Sequence, residues 1–177
     1  MGVLSKVGEL LSTPQGSLVY YLLVLWAVMA GFGLALGEWR RARSERARRL
    51  LMAMGGLLLV RTVYAVGALV TSLGWINPKI LLPPFEWFVN TVSIGLLVWA
   101  FMPRSNHRAR TWNWLLGANL ALAVAVCSVF TILWGQAWTG DSSLNYNAFW
   151  QATVWTVWQL ALVLIVGFAA IRSRGEG

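Results

Sequence analysis

Five apolar runs divide this 177-residue chain, each long enough to cross ~30 Å of hydrocarbon at a rise of ~1.5 Å per residue. They lie at about Ser17–Leu36, Leu50–Trp75, Phe85–Met102, Trp112–Trp134 and Ala148–Ile171. A backbone in lipid must satisfy its own N–H and C=O groups, which leaves helices or a closed barrel. Uninterrupted runs of this length select helices. The expected fold is therefore all-α: an integral membrane bundle of five transmembrane helices (residues 16–172). A short interfacial amphipathic segment (1–15) precedes it and a cytoplasmic tail (173–177) follows. Val3, Leu4, Val7, Leu10 and Leu11 form the apolar face of the opening segment, and Ser12, Thr13 and Pro14 are expected to end it.

Composition fits this reading. The chain is 58% hydrophobic and 11% charged, where a soluble domain carries about 25% charge. Its net charge of +8 would suggest nucleic acid in a soluble protein, but here the arginines flank apolar runs and report orientation instead. The first connection carries Arg40, Arg41, Arg43, Arg46, Arg48 and Arg49. The third carries Arg104, Arg108 and Arg110, and the C-terminal end Arg172 and Arg174. The opposite side has Lys6 and Lys79. Short basic loops stay in the cytoplasm, so the N-terminus is expected outside and the C-terminus inside. The first residues fit neither a signal peptide nor a myristoylation motif.

The third run, LPPFEWFVNTVSIGLLVWAFMP, carries the strongest polar signal. Pro83 and Pro84 are expected to mark its start and Pro103 its stop, because proline suits a first helical turn and disrupts an interior. Glu86, Asn90 and Ser93 follow at i, i+4 and i+7, on one helical face. Lipid cannot satisfy such a stripe. Counting ~1.5 Å per residue from the cytoplasmic end puts Arg61 of the second run ~16 Å deep and Tyr64 ~20 Å. Ser93 falls at ~15 Å, Gln159 at ~18 Å, Asn90 at ~20 Å and Glu86 at ~26 Å on the same count. An arginine at the midplane costs ~2.5–3.5 kcal/mol on an insertion scale, so Arg61 must face the bundle interior or a wet cavity. The fifth run adds Gln151, Trp155, Trp158 and Gln159 on one face.

The expected site is an outward-opening cavity with Arg61 as its cationic floor and Tyr64, Glu86, Asn90, Trp155, Trp158 and Gln159 around it. Interhelical packing, with the amides as glue, is the competing reading. Neither a metal nor a cofactor is expected: the lone Cys127 cannot pair internally, and the lone His107 sits in a basic loop. No catalytic constellation stands out, and the chain is expected not to be an enzyme.

Five spans, GEWRRAR after the first, the LPPFE turn and a last helix leaving into a charged tail resemble the N-terminal membrane-embedded sensory regions of bacterial histidine kinases. Related GAF- or PAS-containing signalling proteins carry similar regions. That resemblance implies an input module of a signal-transduction or two-component system. Its partners would be the lipid bilayer, a small ligand, cytoplasmic signalling domains and a second copy of itself. The chain has no H-box histidine and no ATP-binding glycines, so kinase activity would lie outside it. Length, span count and 12 tryptophans also fit the five-span TspO translocator group, but its Trp/Pro/Asn motifs are missing. An accessory subunit of a larger membrane complex and a small carrier-like binder are the alternatives.

Overall fold

The computed structural model describes residues 14–102 and 109–175. The expected interfacial segment lies almost wholly outside these, as do Pro103, Arg104, His107 and Arg108. Among the described residues there is no strand. Five helices are long and apolar enough to cross a membrane: α1 (Pro14–Ala42), α2 (Glu45–Ser72), α3 (Pro78–Phe101), α4 (Ala109–Gly140) and α5 (Trp150–Gly175). Pro14, expected to close the opening segment, instead begins α1. The chain therefore has the build of a multi-pass membrane protein.

Local chemistry sets the helix ends. Between α1 and α2 the chain reverses at Arg43, whose φ of 44° lies in the left-handed region. Ser44 then caps α2, its Oγ accepting from the Ala47 N–H at 3.2 Å. Asn77 caps α3 in the same way, accepting from the Lys79 N–H at 2.9 Å.

Helix α3 therefore starts five residues before Pro83, and both internal prolines lie within it. The expectation that they open the helix is corrected by a neighbouring side chain. A proline at 83 removes the N–H that would bond the Lys79 carbonyl. The Trp134 indole of α4 donates to that carbonyl at 2.8 Å, so the freed acceptor stays satisfied.

The other end of α3 is closed by Arg49 of α2. Its guanidinium donates to the carbonyls of Trp99 (2.6 Å) and Met102 (3.3 Å) and lies 4.7 Å from the Trp99 ring centroid. A cation on the last carbonyls of a helix complements its dipole.

Packing makes α3 the hub. It lies against α2, α4 and α5, while α1 packs mainly on α2. Over an 18-residue apolar stretch of α3 39% of residues are buried, against 6% over that of α1. Two clusters form the interior. Toward the arginine-rich end, Ala53 of α2 and Ala123 of α4, both fully buried, let their helices approach Val92, Leu96 and Ala100 of α3. Toward the other end, Phe130, Trp134, Tyr146, Ala152 and Trp155 fill the space between α3, α4 and α5. Tyr146 belongs to a single 3-10 turn, Tyr146–Ala148, between α4 and α5.

Candidate ligand-binding site

Arg61 stands just past the midpoint of α2. Its Nη2 donates to Asn90 Oδ1 of α3 at 2.9 Å. Among the described residues no carboxylate pairs with it; an exposed Arg48–Glu45 bridge at 2.9 Å lies at the start of the same helix. Glu86 lies one helical turn from Asn90 toward the arginine-poor end, half-buried. The guanidinium is thus held by a neutral amide.

Beside it, between α1 and α2, is a cavity of about 320 Å³. Arg61 and Tyr64 share its wall with Tyr21, Leu25, Ala65 and Ala68. A wider cleft of about 800 Å³ opens at the arginine-poor end, lined by Lys79, Glu86, Trp87, Trp138 and residues 142–147. Tyr21, Tyr64 and Ala68 line both spaces. At this junction the Tyr64 hydroxyl donates to Tyr21 Oη at 3.2 Å, and the two ring centroids are 5.4 Å apart. Phe85 continues the aromatic row, 5.7 Å from both Tyr64 and Phe88.

The remaining expected residues lie elsewhere. Gln159 of α5 donates to Thr91 Oγ1 at 3.0 Å and reaches the Trp87 carbonyl at 3.5 Å. Trp155 is fully buried, stacked on Trp158 at 5.6 Å and edge-on to Phe130 at 5.7 Å. Its indole donates to Tyr146 Oη at 3.3 Å. The Trp158 indole donates to Asn119 Oδ1 at 3.0 Å.

The seven residues therefore do not share one cavity. Arg61, Tyr64, Asn90 and Glu86 belong to the α1–α2–α3 side, and Trp155, Trp158 and Gln159 to the α3–α4–α5 side. Ser93, on the same polar stripe as Glu86 and Asn90, gives its hydroxyl proton to the Val89 carbonyl of its own helix at 2.6 Å. Gln151 is fully buried, and neither amide atom finds a partner among the described residues.

Two groups in the α4–α5 connection have shifted acidities. Burial pushes the Tyr146 phenol up to about 12, against the opposing effect of the Trp155 indole donor. The Ser143 hydroxyl and N–H on Asp141 hold that exposed carboxyl below its usual range.

Sequence reasoning missed Tyr21 and Thr91. Thr91 is one residue off the chosen polar stripe, and Tyr21 sits in an otherwise apolar helix where nothing distinguishes it from an interfacial aromatic. No family model matches the chain, and neither a curated protein nor a solved structure is similar to it.

Proposed function

We propose that this chain is a membrane-embedded sensory input module that binds a small anionic molecule with an apolar body. The ligand reaches it from the arginine-poor side, which faces outward in a bacterial inner membrane. The observation that carries this reading is Arg61: a cation within the bundle, held by Asn90 Oδ1 at 2.9 Å, on the wall of an otherwise apolar cavity. A neutral amide leaves the charge uncompensated, and a desolvated guanidinium favours a carboxylate or phosphate partner. The wider cleft gives a route, with the Tyr21–Tyr64 pair at its inner end. Asn90 lies on α3, so a ligand that draws Arg61 away from it acts on the helix that α2, α4 and α5 all touch.

A chimera tests this. A histidine-kinase core is fused after Arg174 and the protein is reconstituted in liposomes with decanoate as the probe. Decanoate should change autophosphorylation, decanol should not, and Arg61→Leu should remove the response. Inserting one to four residues at the junction should alter output with helical period. A response that survives Arg61→Leu, or output indifferent to phase, would overturn the proposal. Orientation is checked in a Cys127→Ala background, where a cysteine at Ser142 should label from outside and one at Ser105 from inside. The second reading, an accessory subunit, is favoured by α1, whose Leu23, Trp26 and Leu34 stand exposed and could meet another membrane chain as readily as lipid.

A further inference from the structure

The wider cleft at the arginine-poor end carries two charged side chains, Lys79 and Glu86, among the rings of Tyr21, Tyr64, Trp87 and Trp138. Lys79 is exposed in the first turn of α3. Glu86 is half-buried, and among the described residues neither a hydrogen bond nor an ion pair engages its carboxylate. A second charge without a counter-ion, Arg61, lines the adjoining cavity.

These two charges lie along one wall. Asn90, which holds the guanidinium, is one turn beyond Glu86 on the same face of α3, ~6 Å along the axis. On α2, Arg61, Tyr64 and Ala68 follow at i, i+3 and i+7, again on one face. Tyr64 and Ala68 line both spaces, whereas Arg61 lines the cavity and Glu86 the cleft. Tyr64 is within Coulombic reach of both charges, yet no ion pair joins them.

Each end therefore selects a different group. A guanidinium favours a carboxylate or phosphate. A carboxylate among aromatic faces favours an ammonium, which the rings attract as well. A plain anion entering through the cleft passes Glu86 and is repelled by it. A plain cation gains at Glu86 but leaves Arg61 uncompensated. We infer that the ligand is a zwitterion. Its carboxylate or phosphate goes to Arg61, its ammonium stays at Glu86 among the rings, and an apolar spacer crosses the Tyr21–Tyr64 pair. This inference rests on the reading of Arg61 as the anion site and names the class of molecule that the site takes. Depth favours a free molecule over a zwitterionic phospholipid headgroup, because Arg61 stands just past the midpoint of α2 while headgroups stay outside the hydrocarbon.

The test titrates the full chain calorimetrically in alkyl maltoside micelles, whose detergent is uncharged. The probes are ε-aminocaproate, caproate and hexylamine, which share one chain length and differ in their end groups. In the wild-type protein ε-aminocaproate should bind about tenfold more tightly than either of the others, equivalent to ~1.4 kcal/mol. Glu86→Gln should erase its advantage over caproate, and Arg61→Leu its advantage over hexylamine. If ε-aminocaproate binds no more tightly than caproate or hexylamine in the wild-type protein, the inference is overturned without recourse to any variant. Caproate matching ε-aminocaproate, with both lost in Arg61→Leu, would overturn the zwitterion and leave Arg61 as an anion site. Binding of caproate and ε-aminocaproate unchanged by Arg61→Leu would overturn the Arg61 reading itself. Lys79→Gln should cost ε-aminocaproate far less than Arg61→Leu does, since an exposed ammonium contributes little. The reverse order would put the anionic end at the rim of the cleft and overturn the inference. Displacement of ε-aminocaproate by an equal concentration of phosphatidylethanolamine would assign both charges to a lipid headgroup and overturn the free-molecule assignment.

Discussion

The two sides of α3 solve the same problem differently. In the arginine-poor half of the α4–α5 side, large aromatic rings fill the space, and the indoles of that side find acceptors: Trp134 on the Lys79 carbonyl, Trp155 on Tyr146, Trp158 on Asn119. On the α1–α2 side a cavity remains, walled by tyrosines and an arginine, and α1 is held mainly by α2. Lipid offers no hydrophobic drive to bring helices together, so close packing and satisfied polar groups decide which seam is tight. The aromatic wedge has both. The α1–α2 seam has few such constraints and is the side able to change its spacing when something binds.

The largest expected effect breaks that comparison directly. Trp155→Ala removes a fully buried ring stacked on Trp158 and should cost ~3–5 kcal/mol in reversible unfolding from mixed micelles. Leu22→Ala, on the wall of the α1–α2 cavity and 56% exposed, should stay within about 0.5 kcal/mol. Comparable losses would mean that the two seams are equally constrained.

An intermediate effect sharpens the reading of Arg61. Asn90→Leu removes its acceptor and should destabilise by ~1–3 kcal/mol in the same assay. Arg61→Leu removes the charge itself and should leave stability equal or higher. The reverse order would mean that Arg61 works as structural glue.

The smallest effect concerns the connection between α1 and α2. Arg43 holds a left-handed φ of 44° that glycine adopts without strain. Arg43→Gly should therefore stabilise by about 1 kcal/mol, read as a rise in thermal midpoint. No rise would mean that the arginine side chain contributes there as much as its backbone costs.

The bundle was legible in the sequence because lipid imposes one length and one polarity on every span. The ends were less so. Pro83 and Pro84 signal a helix start by every local rule, and what overrides them is Trp134, some fifty residues away. Tyr64, Glu86, Asn90 and Arg61 were found from depth and spacing, and they fall on the same side of the bundle. Trp155, Trp158 and Gln159 share the right depth but the wrong side. Helical periodicity shows which residues of one helix share a face and says nothing about which neighbour that face meets. Arg49 reads as one more loop arginine, and its role on the carbonyls of α3 follows from how α2 and α3 cross.

Asn90 and Thr91 are consecutive on α3, yet they hold opposite partners: Asn90 takes Arg61 of α2, and Thr91 takes Gln159 of α5. Neighbouring residues on a helix point ~100° apart, so the two bonds leave the axis like spokes at nearly the same height. A tilt of α3 can lengthen one spoke and spare the other. A turn of α3 about its own axis strains both at once. The helix is therefore pinned against torque at one level near its middle, and releasing the Arg61 spoke leaves Gln159 alone to resist rotation there.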